Sequence, residues 1–94
     1  MIDPEVKSRY SQSVYSMAVS MYKNDHGTFL SGEEKVSDAD EFKKRIHKAK
    51  SGALMLGFPE LSELLMTAEE EGNTAEILEK IATCYQAILQ LLEN

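Results

Sequence analysis

The sequence predicts an all-α domain, an antiparallel four-helix bundle with helices over about 4–24, 38–56, 59–71 and 74–93. Three observations predict it. Apolar residues recur at spacings of three and four, no segment alternates apolar and polar residues as a half-buried strand would, and capping residues, prolines and glycines punctuate the periodic stretches. Ninety-four residues make one domain, 1–94, near the lower end of lengths that bury a sufficient core without metals or crosslinks.

Asp3, Pro4 and Glu5 read as an N-cap, a proline at the first helical position and an acid favoured by the helix dipole. Val6, Tyr10, Val14, Met17 and Met21 then form the expected core face of a helix running to about Asn24. Residues 25–37 lose the period and hold two glycines, so they read as a connection, with Phe29, Leu30 and Val36 tucked onto the bundle. Ser37 or Asp38 can cap the second helix, with Asp40 or Glu41 completing a capping box. Its core stripe is Phe42, Ile46, Ala49, Ala53 and Leu56; Gly57 suits its left-handed end and Pro59 the first turn of the third helix. Leu61, Leu64, Leu65 and Ala68 give that helix its buried face, and Gly72 marks its end. Asn73 with Glu76 opens the last helix, striped by Ile77, Ile81, Cys84, Ile88 and Leu91.

Charge and cysteine content narrow the functional classes. A net charge of −6 argues against a general nucleic-acid binder, which gains affinity by neutralising phosphates. Cys84 is the single cysteine and can close neither an internal disulfide nor a zinc site, which fits a reducing compartment. The N-terminus lacks the apolar core of a signal peptide, and no apolar run approaches the ~18 residues of a membrane span, so a cytoplasmic protein is expected, with a monomer as the default. His26, beside Asp25 and Gly27, reads as a surface residue, and no metal site is expected. Cys84 reads as an inert small hydrophobe, and Glu69, Glu70 and Glu71 as the solvated end of the third helix.

One cluster stands apart. Lys43, Lys44, Arg45, Lys48 and Lys50 place five of the ten basic residues within eight positions, around His47. His47 follows the core residue Ile46 by one position and so lies about 100° around the helix from it, within reach of water. A neutral imidazole is a competent nucleophile, and neighbouring lysines disfavour a second positive charge. Ammonium groups also stabilise charge on the oxygens of a transferring phosphoryl group, and Lys50, one turn on, is the best placed. In-line approach by a partner's active site needs clearance, which the small residues Ser51, Gly52 and Ala53 would provide. An interior glycine costs about 1 kcal/mol of helix stability relative to alanine, so Gly52 invites a reason.

The run HKAKSGALMLGFPEL resembles the signature of histidine-containing phosphotransfer (HPt) domains: a histidine, lysine at +3, small residues at +4 to +6, and an aliphatic residue followed by glycine at +9 and +10. His47, Lys50, Ser51-Gly52-Ala53 and Leu56-Gly57 fill these places, and Leu61, Leu64-Leu65 and Ala68-Glu69 continue the pattern across most of residues 38–72. The resemblance implies a four-helix carrier that takes a phosphoryl group on His47 from a receiver-domain aspartyl phosphate and passes it to another receiver. It further implies partnership with receiver domains and a hybrid histidine kinase, magnesium supplied by the receiver, and no cofactor of its own. Nothing in the chain resembles an ATP site, so autophosphorylation is not expected. Lys43, Lys44, Lys48 and Leu54, with Met55, would dock the partner. The family usually has glycine where this chain has Ser51, whose hydroxyl either bonds back to the His47 carbonyl or donates to a phosphoryl oxygen. The alternative is a helical adaptor that binds and regulates a kinase or receiver without carrying phosphate. A purely structural helical domain is a further rival should His47 prove buried.

Overall fold

A computed structural model describes residues 2–72 and 74–93, and every regular element among them is a helix. Asp3 caps α1 (Pro4–Ser8), its carboxylate accepting the Glu5 N–H at 3.0 Å. This helix is short because Ser11 starts another: its hydroxyl accepts the Val14 N–H at 3.2 Å and opens α2 (Gln12–Leu30). A serine that satisfies backbone donors with its side chain competes with helix continuation. The single helix expected over 4–24 is therefore broken at residues 9–11 and extended to Leu30.

The core face of α2 also differs from expectation. Tyr15, Val19, Tyr22, Phe29 and Leu30 are buried, whereas Val14, Met17 and Met21 are 50%, 64% and 60% exposed. Two apolar stripes one position apart compete along this helix, and the aromatic one has partners the other lacks. The hydroxyls of Tyr15 and Tyr22 donate to the Leu56 and Ala49 carbonyls at 2.6 and 2.8 Å. Buried tyrosine is stable where its hydroxyl finds such an acceptor. Residues 25–30, expected in the connection, stay helical because half-buried His26 and buried Phe29 and Leu30 prolong the stripe. A Cβ at Gly27 would stand 3.0 Å from the Tyr85 hydroxyl, so the missing side chain allows the approach of the last helix.

The connection then spans 31–38 and is clamped. Glu34 accepts from both guanidinium nitrogens of Arg45 at 2.8 and 2.9 Å and from Thr28 Oγ1 at 3.1 Å, while Arg45 stacks over Phe29. Asp38 caps α3 (Ala39–Leu56) by accepting the Glu41 N–H at 3.0 Å. All five residues of the expected stripe, Phe42, Ile46, Ala49, Ala53 and Leu56, are buried.

The last four carbonyls of α3, which no helix can pair internally, are all satisfied. Phe58 N–H reaches Ala53 at 2.8 Å and Gly57 N–H reaches Leu54 at 3.3 Å, the pairing that a left-handed residue permits, and Gly57 has φ 81°. Tyr10 and Tyr15 take the other two, at Met55 and Leu56. The α1 segment straps this end, with the Asp3 N–H on the Gly57 carbonyl at 2.7 Å.

Pro59 opens α4 (Pro59–Glu71), which buries Leu61, Leu65 and Ala68 and leaves Leu64 half-buried. Gly72, with φ 88°, follows it. The Thr74 hydroxyl accepts the Ile77 N–H at 3.3 Å at the start of α5 (Ala75–Glu93); the cap expected at Asn73 lies outside the described residues. Along α5 the core is Ile77, Ile81, Tyr85 and Ile88. Cys84, expected on that stripe, is half-buried beside it, and Leu91 is 51% exposed. The bulkier Tyr85 takes the interior position.

Helix α3 packs against α4, α4 against α5, and α2 against both α3 and α5, while α1 touches α3. Ile46, Leu61, Leu65, Ile81 and Ile88 have at most 2% of their surface exposed. Each contributes on the order of 1.5–3 kcal/mol of hydrophobic stabilisation. No helix among the described residues is long and apolar enough to cross a membrane.

Candidate functional site

The second helix of the expected scheme, α3, turns its apolar stripe inward and thereby turns His47 out: the imidazole is 69% exposed. Its neighbour across the groove is Glu69, placed by the α3–α4 turn. His47 and Glu69 lie eleven residues either side of Phe58, so an antiparallel pair folded about that residue brings them level. Buried Ala68 anchors the α4 end, and Glu69 emerges beside it. His47 Nδ1 is 3.2 Å from Glu69 Oε1, and Lys50 Nζ donates to Glu69 Oε2 at 3.0 Å. One carboxylate thus bridges the histidine and the lysine.

The protonation pattern follows from that bridge. The Lys50 ammonium, first of all, holds the Glu69 carboxyl below the ordinary carboxylate range, with His47 assisting and partial burial opposing. An ionised carboxylate only accepts, so with neutral imidazole the proton of the shared contact belongs to Nδ1. Nε2 then carries the lone pair, on a ring mostly open to solvent. Such an imidazole can attack an electrophile through Nε2, and the positive ring that results keeps its counter-charge at Nδ1.

The other predicted site residues divide into two groups. Lys43, Lys44 and Lys48 are exposed on α3, Ser51 is exposed one turn after His47, and Leu54 and Met55 are 58% and 65% exposed. Lys50 is paired with Glu69, and its side chain is only 18% exposed. Gly52 and Ala53 do not provide clearance beside the imidazole. A Cβ on Gly52 would lie 2.6 Å from a carbon of the Tyr22 ring, so the space at Gly52 is occupied by α2, and Ala53 has no exposed surface at all. The reason for the interior glycine is helix packing.

In the sequence Glu69 stands as one acid of a helix end and as a position of the resembling pattern, without a role beside His47; the signal for that role was its equal spacing from the turn. His26 is corrected from a surface residue to a half-buried one, its ring centroid 4.9 Å from that of Tyr22. Desolvation pushes its pKa down, and Nδ1 is shielded with no hydrogen-bond partner among the described residues. Burial pushes the Cys84 thiol up, which leaves less of the reactive thiolate. Among the described residues no group of three or more histidine, cysteine, aspartate or glutamate side chains could hold a metal ion.

Comparison of the chain with protein-family models, curated proteins and solved structures returned no match.

Proposed function

We propose that the chain is a histidine phosphotransfer protein of a two-component phosphorelay, an antiparallel four-helix bundle resembling HPt domains, with His47 Nε2 as the phosphoryl acceptor. The observation that carries this reading is the orientation of an exposed imidazole by an ionised carboxylate at Nδ1, which leaves Nε2 nucleophilic. In the transfer, the Nε2 lone pair forms the N–P bond as the P–O bond to the receiver aspartate breaks and the carboxylate leaves with its electron pair. No proton moves. Glu69 balances the imidazolium, and Lys50 keeps Glu69 ionised while adding positive charge beside the reacting group. The return step to a second receiver reverses these changes.

The protein acts as a stoichiometric carrier, with magnesium supplied by the receiver and no autokinase activity. Docking would use the apolar residues that α2 and α3 leave exposed, Val14, Met17 and Met21 with Leu54 and Met55, rimmed by Lys43, Lys44 and Lys48. We place the protein in the cytoplasm, as a monomer working between receiver domains and a hybrid histidine kinase. The exposure of His47 disfavours a purely structural domain. A non-phosphorylated adaptor needs neither a nucleophile nor a counter-charge behind it.

The test is incubation of the protein with a panel of receiver domains carrying labelled aspartyl phosphate and magnesium. Acid-labile, base-stable label on the wild type and none on His47→Gln is expected. Receiver binding without label on the wild type would replace the carrier with the adaptor.

A further inference from the structure

We propose that Ser51 is a phosphoryl-binding residue, its hydroxyl donating a hydrogen bond to an oxygen of the group carried on His47; this rests on the phosphotransfer reading above. Ser51 is exposed and lies four residues after His47, hence on the same face of α3. Helical side chains tilt toward the N-terminus, so the Ser51 hydroxyl leans onto the turn that bears the imidazole.

Its hydrogen-bonding state is the second observation. Some hydroxyls on or beside these helices bond back locally: Ser8 donates to the Glu5 carbonyl at 2.9 Å, Ser31 to Thr28 at 3.3 Å and Thr67 to Glu63 at 3.1 Å. Ser51 makes no such bond to the His47 carbonyl or to any other partner among the described residues. Of the two fates open to this hydroxyl, back-bonding is not the one adopted.

The third observation concerns competition. Lys50, the cation expected to meet the phosphoryl oxygens, is held by Glu69 at 3.0 Å. Lys43, Lys44 and Lys48 are long, flexible and solvated, and ordering them costs rotamer entropy. A serine hydroxyl has a short stem and one rotor, so it offers an oxygen donor at little such cost. It donates most strongly to the doubly ionised phosphoryl group, and no covalent change at Ser51 is required.

The experiment uses phosphoramidate as a small-molecule donor: its P–N bond breaks, ammonia leaves, and the N–P bond to His47 forms without any receiver. The phosphoryl ionisation is then followed by the pH dependence of the ³¹P resonance in the wild type, Ser51→Ala, Ser51→Thr and His47→Gln. One net hydrogen bond of about 1 kcal/mol corresponds to a roughly five-fold change in proton affinity, or about 0.7 in pH. The midpoint is expected to be higher by that amount in Ser51→Ala and to return to the wild-type value in Ser51→Thr, which keeps the hydroxyl. Equal midpoints in the wild type and Ser51→Ala would overturn the role of Ser51 while leaving His47 as acceptor, and a Ser51→Thr midpoint matching Ser51→Ala would overturn it too. No ³¹P signal from the wild type, or the same signal from His47→Gln, would instead overturn the phosphotransfer reading and Ser51 with it.

Discussion

Replacing Gly52 with alanine separates two accounts of the small residues that follow His47. The added methyl would meet Tyr22 Cε1 and Cδ1 at 2.6 and 2.7 Å. Ordinary carbon contacts need about 3.5 Å or more, so the ring must retreat by roughly 1 Å. It has little freedom to do so. Tyr22 is 6% exposed, its hydroxyl is fixed to the Ala49 carbonyl at 2.8 Å, and its ring lies edge-on to Phe58 with centroids 6.0 Å apart. Overpacking of this kind costs about 1–3 kcal/mol, and loss of the buried hydrogen bond about 1 more. Alanine returns about 1 kcal/mol through helix propensity. The net expectation is a loss of roughly 1–3 kcal/mol, read as a fall in the urea midpoint at 222 nm with an unchanged slope. Removing the obstruction should relieve it: the cost of Gly52→Ala should shrink in a Tyr22→Leu background. A Gly52→Ala protein as stable as the wild type would refute the packing account. If folded Gly52→Ala also lost phosphoryl acceptance at His47, the clearance role first expected of Gly52 would be reinstated.

Two further predictions follow from the same geometry. Met21→Ala should change stability by less than about 0.5 kcal/mol, because Met21 is 60% exposed, whereas Leu65→Ala, at a site with no exposed surface, should cost about 2–5 kcal/mol in the same urea assay. Glu34, held to about 2 chiefly by its hydrogen bonds with Arg45, stabilises the fold fully above its ordinary value of 4.5 and loses that contribution as pH falls through 2. The difference in melting temperature between the wild type and Glu34→Gln should therefore stay constant from pH 7 to 5, close by about pH 2, and narrow in high salt; a difference that persists at pH 2 would refute the ion-pair account.

The parts of the fold legible in the sequence are those decided locally. Asp38 and Gly57 cap α3 as their side-chain chemistry and backbone freedom dictate, and the 4, 3, 4, 3 spacing of its stripe has no competing register. Along α2 the spacing admits two stripes, and what decides between them lies 27 and 41 residues away, in the α3 carbonyls that receive the Tyr22 and Tyr15 hydroxyls. Periodicity carries no term for such acceptors. Cys84 and Tyr85 illustrate the same limit: both fit the α5 pattern, and packing volume selects the tyrosine. At the candidate site, His47 and its lysines were legible as a cluster, but the carboxylate that orients the imidazole comes from another helix. The reason for Gly52 likewise resides in α2.

The sealing of α3 by tyrosines bears on whether its signature is portable. Residues 38–72 hold the whole run that resembles a phosphotransfer motif, yet the carbonyls of Ala49, Met55 and Leu56 within it are met by Tyr22, Tyr10 and Tyr15 from outside it. A graft of that run onto a foreign helical scaffold would carry the histidine, lysine and glutamate but leave behind Tyr10 and Tyr15, which finish the helix bearing them, and Tyr22, which bonds along its side. The transferable unit is the run together with its three tyrosines, so a search for cousins of this chain should weight those aromatic positions alongside the histidine signature.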